Sequence, residues 1–120
     1  MENNSLKLCE SDYRFMTVIW DYEPLPSGKL VQLCTERLNW KKSTTYTTLK
    51  KLCLKGFAQN ENTIVTSLIP REEVQEFESE RFVNRAFGGS INQFLSSYLA
   101  DKKLTKEEAD ELKKIIDAHA

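Results

Sequence analysis

The residues best suited to chemistry lie together between Lys41 and Gly56, where the chain reads KKSTTYTTLKKLCLKG. This stretch holds five Lys and no acid, although the whole chain has a formal net charge of −1. On a helix, Ser43, Tyr46, Thr47 and Lys50 fall at i, i+3, i+4 and i+7 and share one face. Hydroxyls and one cation, without a bulky aliphatic, can hydrogen-bond to base edges and phosphate oxygens in a DNA major groove. Lys41, Lys42, Lys50, Lys51 and Lys55 suit phosphate neutralisation. Thr45, Leu49, Leu52 and Cys53 fall at i, i+4, i+7 and i+8, an apolar-leaning inner stripe. Gly56 stands where a left-handed helix stop needs a residue without a Cβ. An ordinary amphipathic helix with a solvated Lys face explains the same pattern. For Lys51 and Lys55, a solvated lysine near a helix C-terminus reads equally well.

Other chemistries find less support. There is no His near a nucleophile, no Gly-rich phosphate loop and no cluster at metal spacing, so neither an enzyme nor a bound cofactor or metal is expected. His119, the only His, is the penultimate residue. Cys9, Cys34 and Cys53 show no CxxC and no Cys/His pairing at zinc spacing. Cys34 and Cys53 fall on apolar helix faces and read as small buried hydrophobes. Acid pairs such as Glu72-Glu73 and Glu107-Glu108 sit in first turns of helices, where the helix dipole accounts for them. No apolar run approaches the roughly 20 residues that span a bilayer, so no membrane insertion is expected. MENNSLKLCE has no basic stretch followed by an apolar one, so no secretion signal is read there. With three unpatterned Cys, this points to a reducing cytoplasm. Charge is uneven: residues 1–70 hold nine Lys+Arg against seven acids, and residues 71–120 hold eight against eleven. A basic cluster in the first half permits a nucleic-acid partner that the overall charge does not advertise.

Several elements must position the Lys41–Gly56 helix. The pattern predicts a first helix capped by Ser11, with Phe15, Met16, Ile19 and Trp20 as its buried stripe. DYEPLPSG breaks the pattern, and Ser27 is the next candidate cap. Leu30, Cys34 and Leu38, with Val31, form the stripe of a second helix through Arg37. Asn39-Trp40 lies in the turn before the basic helix. Two helices joined by a short turn, the second facing the groove, make a helix-turn-helix. After Gly56 a short antiparallel hairpin is expected, with Phe57-Ala58 opening one strand, Ile64 to Leu68 forming the other, and Gln59 to Thr63 as its turn-rich centre.

Pro70 marks a boundary between residues 1–70 and 71–120. Arg71 to Phe87 is the longest helical stretch, with Val74, Phe77, Phe82, Val83, Ala86 and Phe87 apolar, and Gly88-Gly89 stops it. Ser90 caps a helix whose Ile91, Phe94, Leu95, Tyr98 and Leu99 share one stripe. Thr105 and Glu108 form a capping box ahead of Ala109, Leu112, Ile115 and Ile116. A segment this small rarely closes a stable core alone, so it either packs on the winged helix or pairs with another chain. The strength of the stripes and the break before them favour pairing with a second copy. The expected dimer face is Val74, Phe77, Phe82, Phe87, Ile91, Phe94, Leu95, Tyr98, Leu99, Leu112 and Ile116. The expected fold class is mainly α (α+β): a winged helix-turn-helix DNA-binding domain with a short β-hairpin wing, followed by a helical dimerisation domain.

The chain resembles the penicillinase-repressor family of bacterial transcription regulators over nearly its whole length. The resemblance is carried by Phe15-Met16-Thr17-Val18-Ile19-Trp20, by Trp40 and Thr44 through Leu52 to Lys55-Gly56-Phe57, by Phe82 to Ser90, and by Leu104-Thr105 through Glu107-Glu108 to Glu111-Leu112. It implies a homodimeric winged-helix repressor whose N-terminal domain binds palindromic operators and whose C-terminal helices interlock. Members of the family repress β-lactamase or resistance genes and are switched off when a membrane sensor's protease leads to cleavage in the dimerisation domain. A copper-responsive branch uses a Cys-rich C-terminal tail, and the ending DELKKIIDAHA disfavours that branch. The sequence departs from the family pattern at Tyr46, where a basic residue is frequent, at Thr48, where an aliphatic is usual, and at Lys41-Lys42, where Ser-Pro is usual. The wing turn carries Glu61 and no Lys or Arg. The bond aligned with the one cleaved in the resistance repressors is Ser97-Tyr98, the candidate proteolytic site, and its changed residues speak against that route.

The leading expectation is a repressor that occupies a double-stranded operator through helix 42–56. Lys41, Lys42, Ser43, Thr44, Tyr46, Thr47, Lys50 and Lys51 are its expected DNA contacts. The alternative is a winged-helix protein-interaction module that has lost sequence-specific DNA binding, motivated by the near-neutral charge and the acidic wing.

Overall fold

The computed structural model describes residues 5–120. The expectation of no secretion signal rests partly on Met1 to Asn4, which lie outside the described residues. The order is α1 (Glu10–Tyr22), β1 (Leu25–Pro26), α2 (Ser27–Leu38), α3 (Lys42–Leu54), β2 (Ala58–Glu61), β3 (Ile64–Ser67), α4 (Arg71–Phe87), α5 (Ile91–Leu99) and α6 (Lys106–Ala118). This is the expected class, a winged helix followed by a helical segment.

Two caps differ from expectation. Cys9, extended at φ −71° and ψ 166°, precedes α1 and accepts the Tyr13 N–H at 2.9 Å. Ser11 therefore sits inside the first turn, its hydroxyl 3.3 Å from the Cys9 sulfur. Ser27 likewise is the first residue of α2 and not its cap. Leu25 and Pro26 are spent on a strand, pairing with Val65 and Ile64. The Ser27 N–H, left without a helical acceptor, donates to the Thr63 carbonyl at 2.8 Å. Sequence reading missed β1 because two residues carry no periodicity and one is Pro, tolerated here at the sheet edge. The sheet runs β1-β3-β2 and is antiparallel throughout.

The hairpin forms, with Ala58 opposite Ser67 and Glu61 opposite Ile64. Gln59, Asn60 and Glu61, expected in the turn, instead extend β2, because Thr66, Val65 and Ile64 of β3 lie opposite them as ladder partners. That register leaves a two-residue turn, Asn62-Thr63, both left-handed at φ 52° and 64°. Such a turn matches the right-handed twist of the strands it joins. Gly56, at φ 85°, ends α3 in the left-handed conformation that its position predicts.

The core of this first unit is built from Phe15, Met16, Val18 and Ile19 of α1, Leu30, Leu33 and Cys34 of α2, Leu49 and Leu52 of α3, and Phe57, Ala58 and Val65 around the wing. Val18 and Leu33 join it from outside the expected stripes, because the helices are covered on more than one side. Trp20 is only partly buried; its indole N–H donates to the Ile69 carbonyl at 3.0 Å. Val74 of α4 is fully enclosed in the same core. It was expected on the dimer face, and enclosure among its own chain's residues removes it from any partner's reach. Arg71 pairs with Asp21 and lies 5.6 Å over the Trp20 ring. Chain contacts consequently divide between Ser79 and Glu80, inside α4, and not at Pro70.

In the second unit, the end of α4 is closed by the Gly89 N–H on the Val83 carbonyl at 3.1 Å. A Cβ on Gly89, at φ 85°, would also meet the Asn84 amide oxygen at 3.3 Å. The Ser90 hydroxyl accepts the Gln93 N–H at 3.2 Å and caps α5 as expected. The Thr105–Glu108 capping box of α6 is complete, both bonds 3.1 Å long.

Candidate nucleic-acid interface

Position and exposure of α3 follow from its two-faced sequence. Thr45, Thr48, Leu49 and Leu52 are buried, and Cys53 packs against the core from its edge. Burying Thr45 would leave a hydroxyl without water, and its Oγ1 donates back to the Lys41 carbonyl at 3.3 Å. Thr48 takes an inward place on this face, so the missing aliphatic is a small loss of buried carbon and not a surface change. Upstream, Trp40 stacks on Phe15, ring centroids 5.7 Å apart and planes 10° apart. Its carbonyl accepts the Thr35 hydroxyl at 3.1 Å, and Asn39 turns left-handed at φ 58°. The turn between α2 and α3 is thus clamped from both sides, which sets the direction of α3.

With its inner face fixed, α3 presents Lys41, Lys42, Ser43, Thr44, Tyr46, Thr47 and Lys50 to solvent. No side chain caps its N-terminus, and its first turn contains no acid. The first N–H groups of a helix lack intrahelical acceptors and carry the positive end of the helix dipole. An uncapped, acid-free end flanked by two lysines is suited to a phosphate. The N-terminus of α2 has the same character: no side-chain cap, no acid in the first turn, and exposed Lys29 within it. Sequence reading missed Lys29 because it assigned Ser27 to the cap. The available signal was Pro26, which offers no capping oxygen.

Lys51 stands apart from the other expected DNA contacts. Its ammonium lies 2.8 Å from a carboxylate oxygen of Asp12, which is buried in α1. The structure therefore gives it a partner within the protein, linking α1 to α3. Lys51→Met should lower stability by on the order of 2 kcal/mol, because Asp12 would keep a buried carboxylate without its cation. Urea denaturation followed by tryptophan fluorescence measures this, and an unchanged midpoint would remove the role assigned to the pair.

The wing adds little cationic chemistry. Its strands read AQNE and IVTS, and the Gln59 amide donates to Glu61 at 2.7 Å.

The three cysteines are free thiols in different settings. Burial pushes the Cys34 thiol above its ordinary pKa, partly offset by a hydrogen bond with Thr45. Burial also raises Cys53, offset in part by the backbone of Asn60. Since the thiolate is the nucleophile, native protein should react with a disulfide reagent at exposed Cys9 first, more slowly at Cys53, and at Cys34 only on unfolding. Counting thiols released before and after urea checks this order.

In the second unit, α5 and α6 have no buried residue. Phe82, Phe87 and Phe94 gather edge-on, with Phe87 and Phe94 centroids 5.6 Å apart, and Tyr98 lies tilted at 34° to Phe94 with centroids 6.1 Å apart. Phe82 remains 44% exposed, Ile91 62%, Tyr98 56% and Ile116 56%. Leu95, Leu99 and Leu112 are half-buried. Phe77, expected on the same face, is also half-buried but lies before the division at Ser79 and belongs to the first unit. Ser97 and Tyr98 occupy the last turn of α5, where the Tyr98 carbonyl accepts the Lys102 ammonium at 2.7 Å.

Comparison with known proteins covers nearly all of this architecture. The family model described as "Penicillinase repressor" matches residues 8–118. The methicillin resistance regulatory protein MecI of Staphylococcus aureus is 22% identical over 120 residues, spanning 97% of this chain and 98% of its own. The penicillinase repressor of Bacillus licheniformis is 24% identical over 117 residues, spanning 94% of this chain and 91% of its own.

Proposed function

This chain belongs to the penicillinase repressor family, and we propose that it is a homodimeric, DNA-binding transcriptional repressor that occupies a palindromic operator through α3. The observation that carries this reading is the exposed face of α3: an uncapped N-terminus with Lys41 and Lys42, then Ser43, Thr44, Tyr46, Thr47 and Lys50, above a buried inner face. A helix of this kind fits the major groove, where its lysines neutralise phosphates and its hydroxyls reach base edges. Lys29 at the start of α2 adds a further phosphate contact. Repression is steric, by covering a promoter.

A single chain leaves Phe82, Ile91, Tyr98 and Ile116 of the second unit exposed. We assign Phe82, Phe87, Ile91, Phe94, Leu95, Tyr98, Leu99, Leu112 and Ile116 to a two-fold interface with a second copy. Two α3 helices then read two half-sites, which matches a palindrome. Arg71 to Ser79 goes with the DNA-reading unit, since Val74 and Arg71 are fastened to it. Relief of repression by a membrane sensor's protease requires cutting near Ser97-Tyr98. That bond is held in a helical turn, a conformation that proteases do not accept without local unfolding.

The test is a mobility shift with the DNA upstream of the protein's own gene, at low salt where electrostatics are strongest. A retarded complex of two chains, with sedimentation showing twice the 13.9 kDa chain, is the expected result. The acidic wing supports a second reading, a protein-interaction module without DNA binding. Absence of any shift at low salt selects that second reading.

A further inference from the structure

A groove of about 620 Å³ runs between α3 and the wing, bounded by Tyr46, Leu49, Lys50 and Cys53 on one side and by Asn60 and Leu68 on the other. Its volume lies within the roughly 300–1,000 Å³ of small-molecule sites. Much of its wall is carbon. The Tyr46 ring is 39% exposed and Leu68 is 52% exposed, so neither side chain is consumed by the core. The Leu68 backbone is held by its N–H on the Phe57 carbonyl at 2.8 Å. Among the described residues, Lys50 is the one charged residue lining the groove, and no acid lines it. Neither of the two ion pairs among the described residues involves Lys50.

We propose that this groove binds a small amphipathic organic anion, an aromatic or aliphatic body bearing one carboxylate or sulfonate, and that such a ligand displaces DNA. The apolar body lies against Leu68, Leu49 and Tyr46, and the anionic group meets the Lys50 ammonium. One cation among apolar walls suits one anionic group on a hydrophobic skeleton better than a run of phosphates, which needs several cations and water. The antagonism rests on the DNA-reading role given to α3 above. Tyr46 and Lys50 belong to both surfaces, so ligand and operator compete for the same two side chains. The coupling is direct overlap and requires no conformational change.

The probe is 8-anilinonaphthalene-1-sulfonate, titrated into the full-length protein and followed by fluorescence. Saturable binding is expected, weakened at least tenfold by Leu68→Asp and by Lys50→Ala. Leu68 is half-exposed, so its replacement leaves the core intact, and circular dichroism checks this. A probe affinity equal in parent and both variants would place the probe elsewhere, for instance on the apolar residues of the second unit, and overturns the site. The second arm adds the duplex from upstream of the gene to the probe complex. Loss of the groove-dependent fluorescence as DNA binds is expected. Simultaneous binding of probe and DNA overturns the antagonism. A groove that binds the probe in a protein that shifts no DNA refutes the repressor reading and leaves the ligand site standing.

Discussion

Replacing Lys42 and Lys50 together by alanine should weaken operator binding roughly a hundredfold and flatten its salt dependence. In a two-fold dimer the double variant removes four phosphate contacts, and at about 0.9 each the slope of log affinity against log salt falls by about 3.6. The affinity loss follows from about 0.7 kcal/mol for each exposed charge contact. Both side chains are exposed, so the fold should be unaffected. The two quantities separate the readings. A loss of affinity at constant slope would point to base contacts or to misfolding, and an unchanged affinity and slope would remove α3 from the interface altogether. Lys51→Met provides the internal control: its ammonium belongs to Asp12, so stability should fall while the salt slope keeps its parental value.

Phe15→Ala is the change expected to cost most stability. Phe15 is fully buried in the middle of α1 and stacks on Trp40 at 5.7 Å. Truncating a buried Phe removes its transfer energy and leaves a cavity that neighbours fill only in part, about 4 kcal/mol together. An aromatic pair adds on the order of 1 kcal/mol beyond area, and that contribution is lost with it. The effect should reach function, because Trp40 occupies the turn that aims α3. Urea unfolding read by Trp20 and Trp40, both in the first unit, should show an earlier midpoint at fixed protein concentration. DNA affinity should fall even at denaturant levels where the variant is still folded. A shift worth less than about 1 kcal/mol would mean that the site collapses around the missing ring, and that the Phe15–Trp40 contact does not hold the turn.

The alternation of apolar and polar residues was sufficient for much of this fold. The inner stripe of α3, the Gly56 stop, and the caps at Ser90 and Thr105 are local features. Each is decided within a few residues by periodicity, by a missing Cβ or by a side-chain oxygen three residues from an N–H. Local patterns therefore made them legible. The exposed face of α3 was legible for the same reason, since fixing the inner face of a helix fixes the outer one.

What only the tertiary structure decided are partnerships between distant residues. Asp12 and Lys51 are far apart in sequence, and neither spacing nor charge showed that they would meet and give the Lys51 ammonium a partner within the protein. Leu25 and Pro26 became a strand because β3 lay beside them, which in turn moved Ser27 from the cap into α2. Val74 has the apolar character of its neighbours on α4. Whether it faces a second copy or its own core depends on where the first unit has a gap to fill, and that gap exists only after folding. The groove beside Tyr46 and Leu68 has the same origin: two residues distant in sequence come to line one groove when the wing folds back along α3. Local sequence determined the helices and the wing hairpin, and which face of α3 turns inward. Long-range packing decided which lysine is spent on the protein itself, which apolar residue is spent on the core, and which side chains are left over for a partner.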